Sequence, residues 1–83
     1  MTVLHRTPLH LRLLAAAMAG ELTWLPRAGV SGCPAQRGAR ISDPQRLTAF
    51  FELKLAGVLA VADEIVVVTA LGERKSKEWS VTA

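Results

Sequence analysis

The sequence predicts a small α+β domain built from two main helices, a short antiparallel β-hairpin and a C-terminal helix. Three observations lead to it. Thr7-Pro8 and Asp43-Pro44 each place a capping side chain ahead of a proline, and each opens a run free of helix breakers. A β-branched run at 65–69 follows an acidic turn, with a second aliphatic run at 59–61 as its natural partner. The chain has 83 residues, half of them apolar, which is the material for one core and one domain.

The first helix is expected over 8–19, because Pro8 costs nothing at a first helical turn and Gly20 supplies a stop. Leu11, Leu14, Ala15 and Met18 share one face at helical spacing, and Leu9, Leu13 and Ala16 cover another, so this helix is expected to bury more than one side. Residues 21–25 carry a Thr-Trp-Leu centre with β propensity, stopped by Pro26, and Trp24 is expected to pin that strand to the core. Residues 26–42 hold Pro26, Gly29, Gly32, Pro34 and Gly38 with few large apolar residues, which is loop chemistry. They admit one helical turn near 33–37, or a hairpin in which 38–41 returns beside 21–25. The second helix runs over 45–56 until Gly57. The hairpin of 59–61 and 65–69 turns at Ala62-Asp63-Glu64, and a terminal helix over 71–79 packs Trp79 back on the domain. The ends, 1–6 and 80–83, are expected to fray.

Ten Lys and Arg against seven Asp and Glu give a net charge of +3, a mild preference for polyanions. Positive charge gathers in the middle segment, where Arg37 and Arg40 stand without an acid between Ala28 and Ile41. Cys33 is alone, which rules out an intrachain disulfide and fits a reducing cytoplasm. His5 and His10 lack further ligands for a metal set, and no cofactor motif, nucleophile triad or phosphate loop is present, so neither metal, cofactor, catalysis nor a small-molecule substrate is expected. Arg12 breaks the N-terminal apolar run and Asp63-Glu64 breaks the second, leaving nothing near the ~20 residues that span a bilayer. No membrane association is expected.

The segment 51–72, FELKLAGVLAVADEIVVVTALG, resembles the second half of a winged-helix domain. Its marks are Glu52-Leu53, Ala56-Gly57-Val58-Leu59, Val68-Thr69 and Gly72, and the resemblance covers about residues 43–79. The family plan implies a helix that meets DNA, an Ala-Gly end, and a two-stranded wing closing on Thr-x-x-Gly. It also places another helix before the DNA-facing one, and 26–42 departs from the plan there. The resemblance implies a cytoplasmic protein that binds double-stranded DNA, as a homodimer, and regulates transcription; the style of the chain also resembles small phage proteins. A non-catalytic interaction or assembly module on the same fold is the alternative.

Candidate residues follow from the second helix. Its polar window holds Gln45, Arg46 and Thr48: Gln and Thr match base edges, and a helix N-terminus favours phosphate. Arg37 and Arg40 would join them from the preceding segment. Glu52 argues against deep groove insertion, since a carboxylate repels phosphates. Leu47, Phe51 and Leu55 form a line at four-residue spacing, a candidate contact with a second subunit or partner and equally a wider core.

Overall fold

A computed structural model describes residues 6–27 and 30–81; the outermost ends expected to fray, 1–5 and 82–83, and His5 among them, lie outside the described residues. The order of elements is α1 (Pro8–Met18), β1 (Leu22–Arg27), β2 (Val30–Gln36), β3 (Ala39–Arg40), α2 (Pro44–Leu55), β4 (Leu59–Ala62), β5 (Ile65–Val68) and α3 (Ala70–Glu78). The strands form one antiparallel sheet in the order β3-β2-β1-β5-β4. The fold class is therefore α+β as expected, with three helices and a sheet of five strands among the described residues.

Both proline-led caps form. Thr7 Oγ1 accepts from the His10 N–H and Asp43 accepts from the Arg46 N–H at 3.1 Å, each satisfying a donor that the first helical turn leaves open. The stripe that α1 buries is His10, Leu13, Leu14 and Ala17, an i, i+3, i+4, i+7 pattern, with Ala16 beside it. Met18, expected in the core stripe, is 38% exposed. The true stripe begins on a histidine, which conceals it from an apolar pattern, and Met18 falls beyond its end.

The described part of 26–42, the segment expected to be loop-rich, is largely strand. β1 continues through Pro26, β2 pairs with β1 from Leu22↔Gln36 to Arg27↔Val30, and the register shifts between Leu25 and Arg27. The returning strand pairs with β2 through Ala35↔Arg40, not with β1 as the hairpin alternative had it. Two of the glycines that read as loop, Gly38 and Gly32, are turn and packing devices, and Gly29 lies outside the described residues. Gly38, at φ +80, follows Arg37, at φ +52, and together they form the two-residue turn of the β2–β3 hairpin. Gly32 lies under Trp24: a Cβ there would sit 2.3 Å from Trp24 Nε1. Pro34 is fully buried, and its carbonyl accepts from the Ile41 N–H at 3.0 Å.

α1 and α2 pack over one face of the sheet, around Phe50, Leu14, Leu22, Ile41, Leu53, Val58 and Val66, all less than 2% exposed. Each such side chain contributes about 1.5–3 kcal/mol relative to exposure. Trp24 stacks on Phe50, ring centroids 6.2 Å apart, and takes the edge of Phe51 at 6.3 Å. The expected structural role of Trp24 is thus visible in its contacts.

The Ala-Gly and Thr-x-x-Gly marks meet at one junction. Gly57, at φ +82, ends α2 and turns the chain into β4. Thr69 hydrogen-bonds through Oγ1 to the carbonyls of Gly57 and Val58, its N–H donates to Val58 O at 3.1 Å, and Oγ1 accepts from the Gly72 N–H at 3.0 Å. Thr69 therefore caps α3 and clamps it to the α2–β4 corner. At Gly72 a Cβ would lie 2.3 Å from Val58 O and 2.7 Å from Val68 Cγ1, so the two chain segments approach to a distance only glycine allows. At the termini, Arg6 donates to Trp79 O at 3.4 Å and the Val81 N–H to Ser76 O at 2.8 Å, so Arg6 and Val81 are tied down.

Candidate functional site

The end of β2, the residue ahead of β1, the first turn of α2 and the length of α1 meet at one cleft of about 500 Å³, lined among others by Arg12, Glu21, Gln36 and Arg46. Gln36 organises it. Arg46 Nη2 donates to Gln36 Oε1, Gln36 Nε2 donates to Glu21 Oε1 at 3.2 Å, and Arg37 Nη2 donates to Glu21 Oε2 at 2.9 Å. Arg37 reaches Glu21 because the hairpin turn brings the Arg37 N–H to Glu21 O, 3.0 Å away. The hydrogen bond from Arg37, supported by that from Gln36, holds the Glu21 carboxyl below its ordinary range. Arg12 is exposed on α1, and among the described residues it makes no ion pair. Among the described residues, Glu21 is thus paired with Arg37, while Arg12 and Arg46 share the cleft without an ion pair, so positive charge remains in excess.

The five residues expected to contact DNA do not form one group. Arg37 and Arg46 are joined through Glu21 and Gln36. Arg40, paired with Ala35 across the strands, projects from the opposite face of the hairpin to Gln36. Gln45 and Thr48 are exposed on α2 and line a different cleft, also about 500 Å³, with Thr7, Pro8, His10 and Glu52. Leu9 lines both clefts, so they are neighbours on the seam between α1 and α2.

Glu52, expected to repel phosphates as a bare carboxylate, has a partner that the sequence did not disclose. His10 is 4% exposed, with Nε2 3.1 Å from Glu52 Oε1 and Nδ1 against Thr7 Oγ1. The local half of this arrangement had a signal, since His10 occupies the third position after the Thr7 cap, where a polar side chain can turn back to the cap; nothing in the spacing points to Glu52. The Thr7–His10–Glu52 chain fixes the start of α1 to the middle of α2.

The line Leu47, Phe51 and Leu55 divides. Leu47 packs against the core, Phe51 is 38% exposed, and Leu55 is 81% exposed. Lys54 Nζ sits 5.6 Å from the Trp24 ring centroid beside them. The outward surface of α2 past its second turn is therefore apolar, rimmed by one cation. Asp63 and Glu64, both at positive φ, form the β4–β5 turn and make the tip of that hairpin acidic. Among the described residues, no helix is long and apolar enough to cross a membrane. Comparison with protein-family models, with curated proteins and with solved structures finds no match to this chain.

Proposed function

We propose that this chain is a winged-helix-like module that binds double-stranded DNA and regulates transcription in the cytoplasm, holding the duplex by its phosphates. The observation that carries the reading is that Arg12 and Arg46, from separate helices, line one cleft whose carboxylate, Glu21, is already paired with Arg37. Gathering like charges is unfavourable unless an anion is received there, and duplex DNA supplies anions at the spacing of a continuous surface. Arg40 extends the basic surface around the β2–β3 turn. Support for the winged-helix plan comes from the helix–hairpin order, the pairing of β1 with β5, and the Thr69–Gly72 clamp.

The mode of contact differs from that of the family plan. A hairpin stands where the plan has a helix, and α2 turns Phe51 and Leu55 outward, which are poor groove-reading residues. The arginines position the protein on the backbone, and Gln45 and Thr48, on the first two turns of α2, are left as base-edge readers. The acidic wing tip stays away from the duplex. Replacing Arg37, Arg40 and Arg46 together with Gln should weaken binding to duplex DNA and flatten its salt dependence, measured by fluorescence anisotropy; unchanged affinity would remove the reading.

One observation favours the second reading, a protein-interaction or assembly module. A leucine 81% exposed beside a phenylalanine 38% exposed on a single helix makes an apolar surface that a second subunit or another protein would cover. The two readings are compatible if the apolar surface makes a homodimer and the basic one meets DNA.

A further inference from the structure

The cleft between α1 and the β2–β3 hairpin has a second property that phosphate contact does not use. Its floor is apolar, formed by Leu9, Leu13, Ala16 and Ala19, while Arg12 and Arg46 stand at its rim. At about 500 Å³ it lies within the roughly 300–1,000 Å³ of small-molecule sites. We infer that this cleft binds a small organic carboxylate, with its apolar body on the α1 floor and its carboxylate between the guanidinium groups of Arg12 and Arg46.

The charge pattern selects that class of ligand. Glu21 also lines the cleft, and its carboxylate is paired with Arg37 and bonded by Gln36, so within the cleft its charge is directed to the hairpin turn and not to Arg12. Among the described residues the Arg46 guanidinium has one bonded partner, Gln36, which leaves N–H groups to donate. A planar carboxylate matches such a fork with two parallel hydrogen bonds. A dianion or trianion would meet the Glu21 charge at close range, and a neutral apolar compound would leave both arginines at the rim without a counter-charge. A monoanion with an aryl or alkyl body satisfies the floor and the rim together.

The test is a backbone-amide NMR titration of the full chain with phenylbutyrate, set against phenylbutanol, which has the same body without the charge. Saturable shifts at Arg12, Ala16, Gln36 and Arg46 are expected with the acid, and at least tenfold weaker binding with the alcohol. Arg12→Gln should weaken the acid by about tenfold and leave the alcohol unchanged. Arg12 is exposed and makes no ion pair among the described residues, so its replacement leaves the fold intact; the unshifted remainder of the spectrum verifies this. Equal binding of acid and alcohol, shifts elsewhere on the surface, no saturable binding of the acid, or an unaffected Arg12→Gln would each overturn the inference. No DNA is present in the titration, so its outcome is separate from that of the DNA reading.

Discussion

Gly72→Ala is a substitution for which two physical effects predict opposite signs. Gly72 lies within α3, where alanine is favoured over glycine by about 1 kcal/mol on helix propensity alone. Against this, the added Cβ would lie 2.3 Å from Val58 O, 2.7 Å from Val68 Cγ1 and 3.2 Å from the Val58 carbonyl carbon. Two of these contacts are with backbone, which cannot turn aside as a flexible side chain would. The start of α3 must therefore move off the α2–β4 corner, stretching the Thr69 hydrogen bonds that clamp it. Overpacking of this kind costs about 1–3 kcal/mol, and a contact this short belongs at the upper end. Net of the helix gain, the variant should lose about 2 kcal/mol, which for a domain of this size lowers Tm by roughly 8–16 °C. Urea unfolding followed by circular dichroism measures it directly. Gly57→Ala is the control: it is strained by φ +82 but finds only Leu71 Cδ2 at 3.6 Å, so it should cost about 1 kcal/mol. If Gly72→Ala were as stable as the parent or more so, the clamp would not be holding α3, and the account of this corner would be wrong.

The double variant Phe51→Glu, Leu55→Glu leaves the fully buried Phe50 and Leu53 in place, so it should remain folded. If the outward face of α2 joins two subunits, light scattering will show a dimer for the parent and a monomer for the variant; an unchanged mass would show that the face makes no such contact. The Glu21 site predicts an acid dependence. Its carboxyl titrates below the ordinary value of 4.5 in the folded chain, so the folded state favours the ionised form. The stability it gives is complete above that value and is lost as the pH falls through the lowered one. The difference in stability between parent and Glu21→Gln should be constant near neutrality and shrink in acid below the ordinary carboxylate range; a difference independent of pH would show that the Arg37 pair contributes nothing to folding.

Local signals made α1, α2, the β4–β5 hairpin and α3 legible, because capping pairs, a stop glycine and a β-branched run act within a few residues of one another. α1 starts at Pro8 as expected, and α2 and α3 each begin one residue earlier than expected, at Pro44 behind the Asp43 cap and at Ala70 behind the Thr69 cap. Residues 26–42 were not legible, since what makes them strand is non-local. Gly32 exists to accommodate Trp24, and Pro34 is compatible with a strand because of what surrounds it in the sheet. The site was legible in part. Arg37 and Arg46 were identified from charge, but Glu21 and Gln36, which hold them together, and Arg12, which faces the same cleft, come from separate elements. No spacing along the chain announces such a meeting. His10 hid the α1 stripe and supplied the partner of Glu52 for the same reason: a polar residue on a core face satisfied across forty-two positions.

The central claim is tested most directly by the salt dependence of binding to random-sequence duplex DNA, measured by fluorescence anisotropy on the parent chain. Each phosphate neutralised contributes about 0.9 to the slope of log K against log salt. Contacts from Arg12, Arg37, Arg40 and Arg46 therefore predict a slope of roughly −3 to −4, falling to about −1 when Arg37, Arg40 and Arg46 are replaced. Micromolar binding with that slope, lost in the triple variant, is the expected result. Absence of binding at low salt, or binding whose slope the triple variant leaves unchanged, would contradict the DNA reading and leave the exposed face of α2 as the functional surface.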